Sequence, residues 1–245
     1  LYDREQLPLA PNPFAPEGAP PFALTDFGEL RGYFGMPREG DIPEDLARTL
    51  IHGYAACVSY MDAQLGKVMD ELKRLGHWDD TAIVFWGDHG WKLGEHNCWC
   101  KHTNFEIDAR APLIVRAPGV AAEGTHTQGL VEFVDMYPTL CDLCGLRVPE
   151  HLEGAGFAGL LAAPDRQWKQ AAFSQYPRPG LMGYTMRTDR YRYTEWQSTD
   201  DGHVEARELY DHRDDPLENA NLAAGAATAL VDALSRQLAA GPPAA

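Results

Sequence analysis

An aspartate and a histidine stand side by side at the end of a short apolar run, in the segment Phe85-Trp86-Gly87-Asp88-His89-Gly90-Trp91. A carboxylate next to an imidazole offers an oxygen and a nitrogen to a divalent cation. Gly87 and Gly90 let the backbone turn tightly and come close to a ligand. The run before them, Thr81–Trp86, is short, continuous and rich in β-branched and aromatic residues. It reads as a parallel strand covered on both faces, and ligands of open α/β sheets bind at the carboxyl ends of such strands. The Asp-His dipeptide alone is common in loops, so its weight comes from what surrounds it.

The surroundings differ in charge from the rest of the chain. Lys92, Lys101, Arg110 and Arg116 balance Asp88, Glu95, Glu106 and Asp108 between residues 88 and 116, whereas the whole chain carries −15. An anionic ligand meets its least repulsive field here. The acidic excess elsewhere disfavours nucleic acid and anionic membrane surfaces as partners. No apolar run reaches the length of a membrane span, so no membrane insertion is expected.

The elements that must position these residues follow from periodicity. Residues 1–43 hold eight of the 18 prolines and read as an extended segment draped over a domain. Asp41 is placed to cap a helix and Pro43 to sit in its first turn. Apolar residues then recur at helical spacing from Leu46 to Leu75, and Gly76 closes the run. Pro112–Val115 reads as a second strand, and a helix is expected over Val134–Leu143, ended by Gly145. After residue 168 the pattern becomes short, aromatic and partly alternating, which predicts three or four antiparallel strands. A helix over Ala223–Leu238 follows, and GPPAA ends the chain. With 245 residues, 44% hydrophobic and 23% charged, the chain is long enough for a substantial core. The expected organisation is a Pro-rich segment over 1–43, an α/β unit over 44–168 and a small α+β subdomain with an antiparallel sheet over 169–245.

Five cysteines are present, and Cys98-x-Cys100 with Cys141-x-x-Cys144 offers four thiols, a set that a zinc site could use. The preferred reading is that Cys141 and Cys144, in the apolar stretch DMYPTLCDLCGL, are small hydrophobes.

The stretch DHGWKLGEHNCWCKHTNFE resembles the sulfatase signature, in which Asp-His-Gly is followed by Leu-Gly-Glu-His and then a lysine. The matching positions are Asp88, His89, Gly90, Leu93, Gly94, Glu95, His96 and Lys101. The resemblance extends upstream to VSYMDAQLGKVMDEL and downstream to APLIVRAPG, VDMYPTLCDLCGL and ELYDHRDDPLENANLA, in family order over most of the chain. SQYPRP, MGYTMRTDRYRYTEW and the Trp91 after Asp-His-Gly are similar to iduronate-2-sulfatase-like members of the family. The resemblance implies an alkaline-phosphatase-like α/β fold, here its C-terminal portion, and a periplasmic, secreted or lysosomal setting. It implies that Asp88 and His89 lie at a calcium site; calcium prefers oxygen ligands, which suits Asp88 better than His89. His89 either ligates weakly or bonds a sulfate oxygen. Lys101 is implied to contact the sulfate and stabilise charge in the transition state. Trp91 reads either as a core aromatic or as a wall of a sugar subsite, and His102 as a pocket residue. Glu95 and His96 are expected to hold the loop, and Lys92 to be solvated.

Members of this family hydrolyse the ester with a formylglycine made from a Cys/Ser-x-Pro-x-Arg motif. No cysteine here opens that motif, and the family's paired Asp-Asp metal ligands find no match. Both are expected in an upstream half of the same enzyme, which would make that half a partner of this chain. The implied activity is sulfuric-ester hydrolysis on a sulfated sugar or glycosaminoglycan such as iduronate 2-sulfate. The alternatives are a phosphodiesterase or phosphonate monoester hydrolase of the same superfamily, and a non-catalytic carbohydrate-binding remnant.

Overall fold

The computed structural model describes residues 1–26, 28–120 and 124–241. Residue 27, residues 121–123 and residues 242–245, which include the last four of GPPAA, lie outside the described residues. In the Pro-rich segment, two 3₁₀ turns and one helical turn, α1 (Gly28–Arg31), interrupt an extended path. Prolines that fix φ and lack an N–H leave little backbone for longer elements. The long helix α2 then runs Glu44–Arg74. Pro43, with φ −58° and ψ 147°, is the residue flanking its start, so Asp41 does not cap it. Asp41 instead accepts a hydrogen bond from Asn97 Nδ2 at 3.0 Å. Glu44 and Asp45 supply the negative charge that the helix start favours. At the other end Gly76 has φ 78°, and the bonds from Gly76 N to Lys73 O and from His77 N to Leu72 O close the helix.

Strand β1 (Ile83–Trp86) leads into the region of the Asp-His pair. Two very short strands, β2 (Lys92–Leu93) and β3 (Trp99–Cys100), pair antiparallel, and a single helical turn, α3 (Glu106–Ala109), follows. Strand β4 (Leu113–Arg116) returns to pair with β1. The expectation of a parallel, doubly covered strand is corrected here. β1 and β4 are antiparallel, with Ile83 opposite Arg116 and Trp86 opposite Leu113, and Trp86 and Ile114 are exposed. A continuous apolar run reports burial potential but carries no information on a partner strand's direction.

Helix α4 (Met136–Leu143), preceded by a 3₁₀ turn at Phe133–Asp135, lies where periodicity placed it, and Gly145 follows with φ 66°. A short α5 (Ala158–Ala162) leads to a four-stranded antiparallel meander. Its strands are β5 (Ala171–Arg178), β6 (Leu181–Thr188), β7 (Tyr191–Ser198) and β8 (Val204–Asp211). The last helix, α6 (Thr228–Ala240), packs Leu234 against Ala171, Met186, Tyr193 and Leu209 of that sheet. Helices and antiparallel sheets together make a mixed α/β fold.

Two further core clusters hold the site in place. Leu30, Ala47, Trp99 and Cys100 form one, with Trp91 packed against it. Ala23, Phe105, Trp196 and Tyr210 form the other. Both include residues of the Pro-rich segment, which is therefore built into the core at Ala23 and Leu30.

Candidate active site

The hairpin of β2 and β3 explains how two distant residues meet. Lys92 lies opposite Cys100 and Leu93 opposite Trp99, so the next positions outward are Trp91 and Lys101. Lys101 Nζ accordingly lies 5.0 Å from the centre of the Trp91 ring, a cation–π contact. Trp91 also stacks on His89, with centroids 5.9 Å apart, and on Tyr54 of α2, 6.3 Å apart. Trp91 is thus the common neighbour of His89 and Lys101 and ties both to the long helix.

His89 Nδ1 lies 2.8 Å from the carbonyl of Gly90, which leaves Nε2 facing Asp88 Oδ2 at 3.4 Å. A ring nitrogen oriented by a backbone carbonyl, with the other free, is the usual arrangement of a metal-ligating histidine. The Asp88 side chain is 85% exposed. The pair therefore offers one carboxylate and one imidazole nitrogen to a cation. Calcium takes six to eight oxygen ligands, so these two residues fit part of such a site and leave the remaining ligands to other groups.

Lys101 is paired with Glu29 of α1, Nζ to Oε2 at 2.9 Å and to Oε1 at 3.1 Å. The hydrogen bond from Lys101, helped by one from Tyr33, holds the Glu29 carboxyl below its usual range. The same bond holds the Lys101 ammonium above its own. His102 has φ 89° and stacks on Tyr176 of β5, with centroids 5.6 Å apart. Arg178 donates to the His102 carbonyl at 2.7 Å and also to Phe22 O and Leu24 O. One guanidinium thus fastens the lysine loop and the Pro-rich segment to the C-terminal sheet.

Lys92 is not solvated. Its side chain is fully buried, and Nζ donates to Asp108 Oδ2 at 2.5 Å and to Thr103 Oγ1 at 2.6 Å. Burial pulls this ammonium below its ordinary value and Asp108 pulls the other way. The inward alternation of β2 puts Lys92 on the covered face of the hairpin, where only an acid can accompany it. Asp108 also accepts from Thr103 N, and its backbone carbonyl accepts from Gly90 N at 2.8 Å. A Cβ at Gly90 would stand 1.8 Å from Ile107 O, so this close approach requires glycine.

Glu95 and His96 hold the loop. Glu95 Oε2 accepts from Leu93 N at 2.6 Å. His96 is buried, bonded to Leu217 O at 2.8 Å and packed on Phe105. Three thiols are buried: Cys100 lies in the first core cluster, Cys98 donates to Thr25 O, and Cys141 lies inside α4. The reading of Cys141 as a small hydrophobe fits its burial, whereas Cys144, at the end of α4, is exposed. Among the described residues, Glu106, His212 and Glu218 form a group close enough to hold a metal. Arg192 already bonds both glutamates, and Arg187 bonds Glu106, so arginines occupy the cationic role there. Sequence reasoning missed Glu29, Arg178 and the buried Lys92. Glu29 and Arg178 lie 72 and 76 residues from their partners Lys101 and His102, and no local pattern marks such pairs.

Residues 19–146 match the family model described as Sulfatase, and residues 94–241 match that of N-sulphoglucosamine sulphohydrolase, C-terminal. Iduronate 2-sulfatase of Mus musculus is 32% identical over 91% of this chain and 53% of its own length. Phosphonate monoester hydrolase from Silicibacter pomeroyi is similar in structure, with a TM-score of 0.80 and 25% identity over 98% of this chain and 51% of its own. A structure solved in complex with its substrate D-glucosamine-2-N,6-O-disulfate matches with a TM-score of 0.69 and 26% identity, over 82% of this chain and 44% of that one. The chain spans about half the length of the curated relatives it matches.

Proposed function

The chain belongs to the sulfatase family, and on that premise we propose that it supplies the calcium-site and sulfate-binding face of a sulfuric-ester hydrolase acting on a sulfated carbohydrate. The observation that carries the reading is the placement of Lys101. It sits at a hairpin end, against Trp91, on the same aromatic ring that His89 stacks on. An ammonium held there can meet the negative charge that develops on sulfuryl oxygens, and such electrostatic stabilisation is often the largest catalytic contribution.

In this reading Asp88 is a calcium ligand, and His89 either completes that side or bonds a sulfate oxygen. A bound calcium ion would neutralise sulfuryl oxygens and favour attack at sulfur. The residues of this chain orient the ester: Lys101 binds its oxygens, while Trp91 and His102 border the sugar. A formylglycine nucleophile and paired aspartate ligands would come from a preceding half of the same protein. The fraction of the relatives' length spanned here supports that division.

Iduronate 2-sulfate is the favoured substrate on the strength of the Mus musculus relative's name, and the SQYPRP and MGYTMRT segments favour a sulfatase. The phosphonate monoester hydrolase neighbour keeps a second reading, hydrolysis of a phosphonate monoester, with the same residues in the same roles.

The test is Lys101→Ala in the full-length protein, assayed on a chromogenic sulfate ester. Turnover should fall on the order of a hundredfold or more while the melting temperature is kept. Near-normal turnover would return Lys101 to an ordinary surface lysine and remove the reading.

A further inference from the structure

We propose that Glu29 sets the charge preference of the site, partly neutralising Lys101 so that singly charged oxyanion esters are accepted over doubly charged ones. The proposal rests on Lys101 facing the substrate, as argued above. Glu29 reaches the site from the Pro-rich segment, on the single turn of α1. Both its carboxylate oxygens lie within about 3 Å of Lys101 Nζ, and Oε1 also accepts from Tyr33 Oη at 3.1 Å. Oε2 is buried, lies off the hydrogen-bonding direction of the ammonium and finds no aligned donor of its own. The carboxylate is thus shared between the Lys101 ammonium and the Tyr33 hydroxyl, and it stays close to any anion that approaches Lys101.

The chemistry of the candidate esters gives this charge a consequence. A sulfate monoester or a phosphonate monoester carries one negative charge at neutral pH. A phosphate monoester has a second ionisation near pH 6 and carries close to two. The second charge would have to be met by the site, and Glu29 meets it with repulsion. A like charge set against the wrong ligand is an economical way to build selectivity. Because Glu29 is held below and Lys101 above its ordinary value by their mutual hydrogen bond, both keep their charges near neutral pH.

The experiment uses the full-length protein, Glu29→Gln and Glu29→Asp, with 4-nitrophenyl sulfate and 4-nitrophenyl phosphate at pH 8. Glutamine keeps an oxygen for Tyr33 and Lys101 but removes the charge. In Glu29→Gln the phosphate-to-sulfate ratio of kcat/KM should rise about tenfold or more, and Glu29→Asp should keep the wild-type ratio. If the phosphate ester is not turned over, its inhibition constant against the sulfate ester gives the same comparison. An unchanged ratio, or a loss of both activities by the same factor, would overturn the role of Glu29. Lys101→Ala run alongside separates the two levels. Near-normal sulfate turnover there withdraws the premise, whereas a large loss with an unchanged Glu29→Gln ratio overturns Glu29 alone.

Discussion

Lys92 and Asp108 form an ion pair inside the protein, with Nζ and Oδ2 2.5 Å apart and side chains 0% and 4% exposed. The pair bridges the two arms of the loop that carries the site. Lys92 opens the hairpin next to Trp91, and the Asp108 carbonyl receives the N–H of Gly90 beside His89. Removing one member of a buried pair strands the other charge and costs about 3–5 kcal/mol, whereas replacing both with apolar residues of similar size is often close to neutral. Lys92→Met should therefore lower stability by about that amount. Lys92→Met with Asp108→Leu should recover part of the loss, although Thr103 N then loses its acceptor. Urea unfolding midpoints check both, and a single variant that costs less than about 1 kcal/mol would show that the buried charge is not held by this pair.

The exposed carboxylate of Asp88 contributes little to the fold, since His89 is the partner it has among the described residues. Asp88→Ala in the full-length protein should leave the melting temperature of the metal-free form unchanged. Calcium content by elemental analysis should fall, and turnover with it. Unchanged calcium content would take Asp88 out of the metal site.

Much of the framework is legible in the sequence. The apolar recurrence from Leu46 to Leu75 and the glycine after it report a helix of Glu44–Arg74, because a 3.6-residue period and a C-terminal glycine are local signals. The aromatic, alternating texture after residue 168 marks the four-stranded sheet for the same reason. The pairing direction of Ile83–Trp86 was not legible, since strand direction depends on chain path and not on composition. From the sequence Lys92 reads as solvated because lysine is almost always exposed, and only the distant Asp108 makes its burial tolerable. The candidate residues Asp88, His89 and Lys101 stand out through a motif. What surrounds Lys101, with Glu29 from the Pro-rich segment and Arg178 fastening the adjacent His102, is tertiary and has no sequence period.

Exposed apolar side chains bear on the behaviour of residues 1–245 alone. Val58, Met61 and Val68 of α2, Trp86 and Ile114 of the β1–β4 ribbon, and Leu146 are exposed large apolar residues. Where such side chains adjoin, they mark a surface that another element covers. Under the proposed division of the enzyme, the half carrying the nucleophile covers this one. The purified 245-residue chain should self-associate with rising concentration, bind a hydrophobic dye and lack turnover on a chromogenic sulfate ester. A monodisperse monomer by light scattering at high concentration, with no dye binding, would argue against a covering partner.

The C-terminal sheet buries an acid, Glu208. Glu208 Oε1 accepts from Trp196 Nε1 at 2.7 Å, and Oε2 accepts from Tyr210 Oη at 2.6 Å. Burial pushes this carboxyl up to about 7 from 4.5, although the two hydrogen bonds pull it down. The folded-state value lies above the unfolded one, so the folded state holds its proton more tightly. Below about pH 4.5 both states are protonated and Glu208 adds no pH dependence. Between about 4.5 and 7 the unfolded chain releases its proton first, and stability falls as pH rises through that window. Above it the loss levels off at on the order of 3 kcal/mol. Glu208→Gln imitates the protonated acid and cannot ionise. Its stability relative to wild type should therefore increase from pH 4.5 to pH 8, read as the difference in denaturant midpoint between the two proteins. Other groups titrate equally in both and cancel in that difference. Parallel pH profiles for wild type and Glu208→Gln would show that Glu208 is ionised throughout and that the Trp196 and Tyr210 hydrogen bonds outweigh its burial.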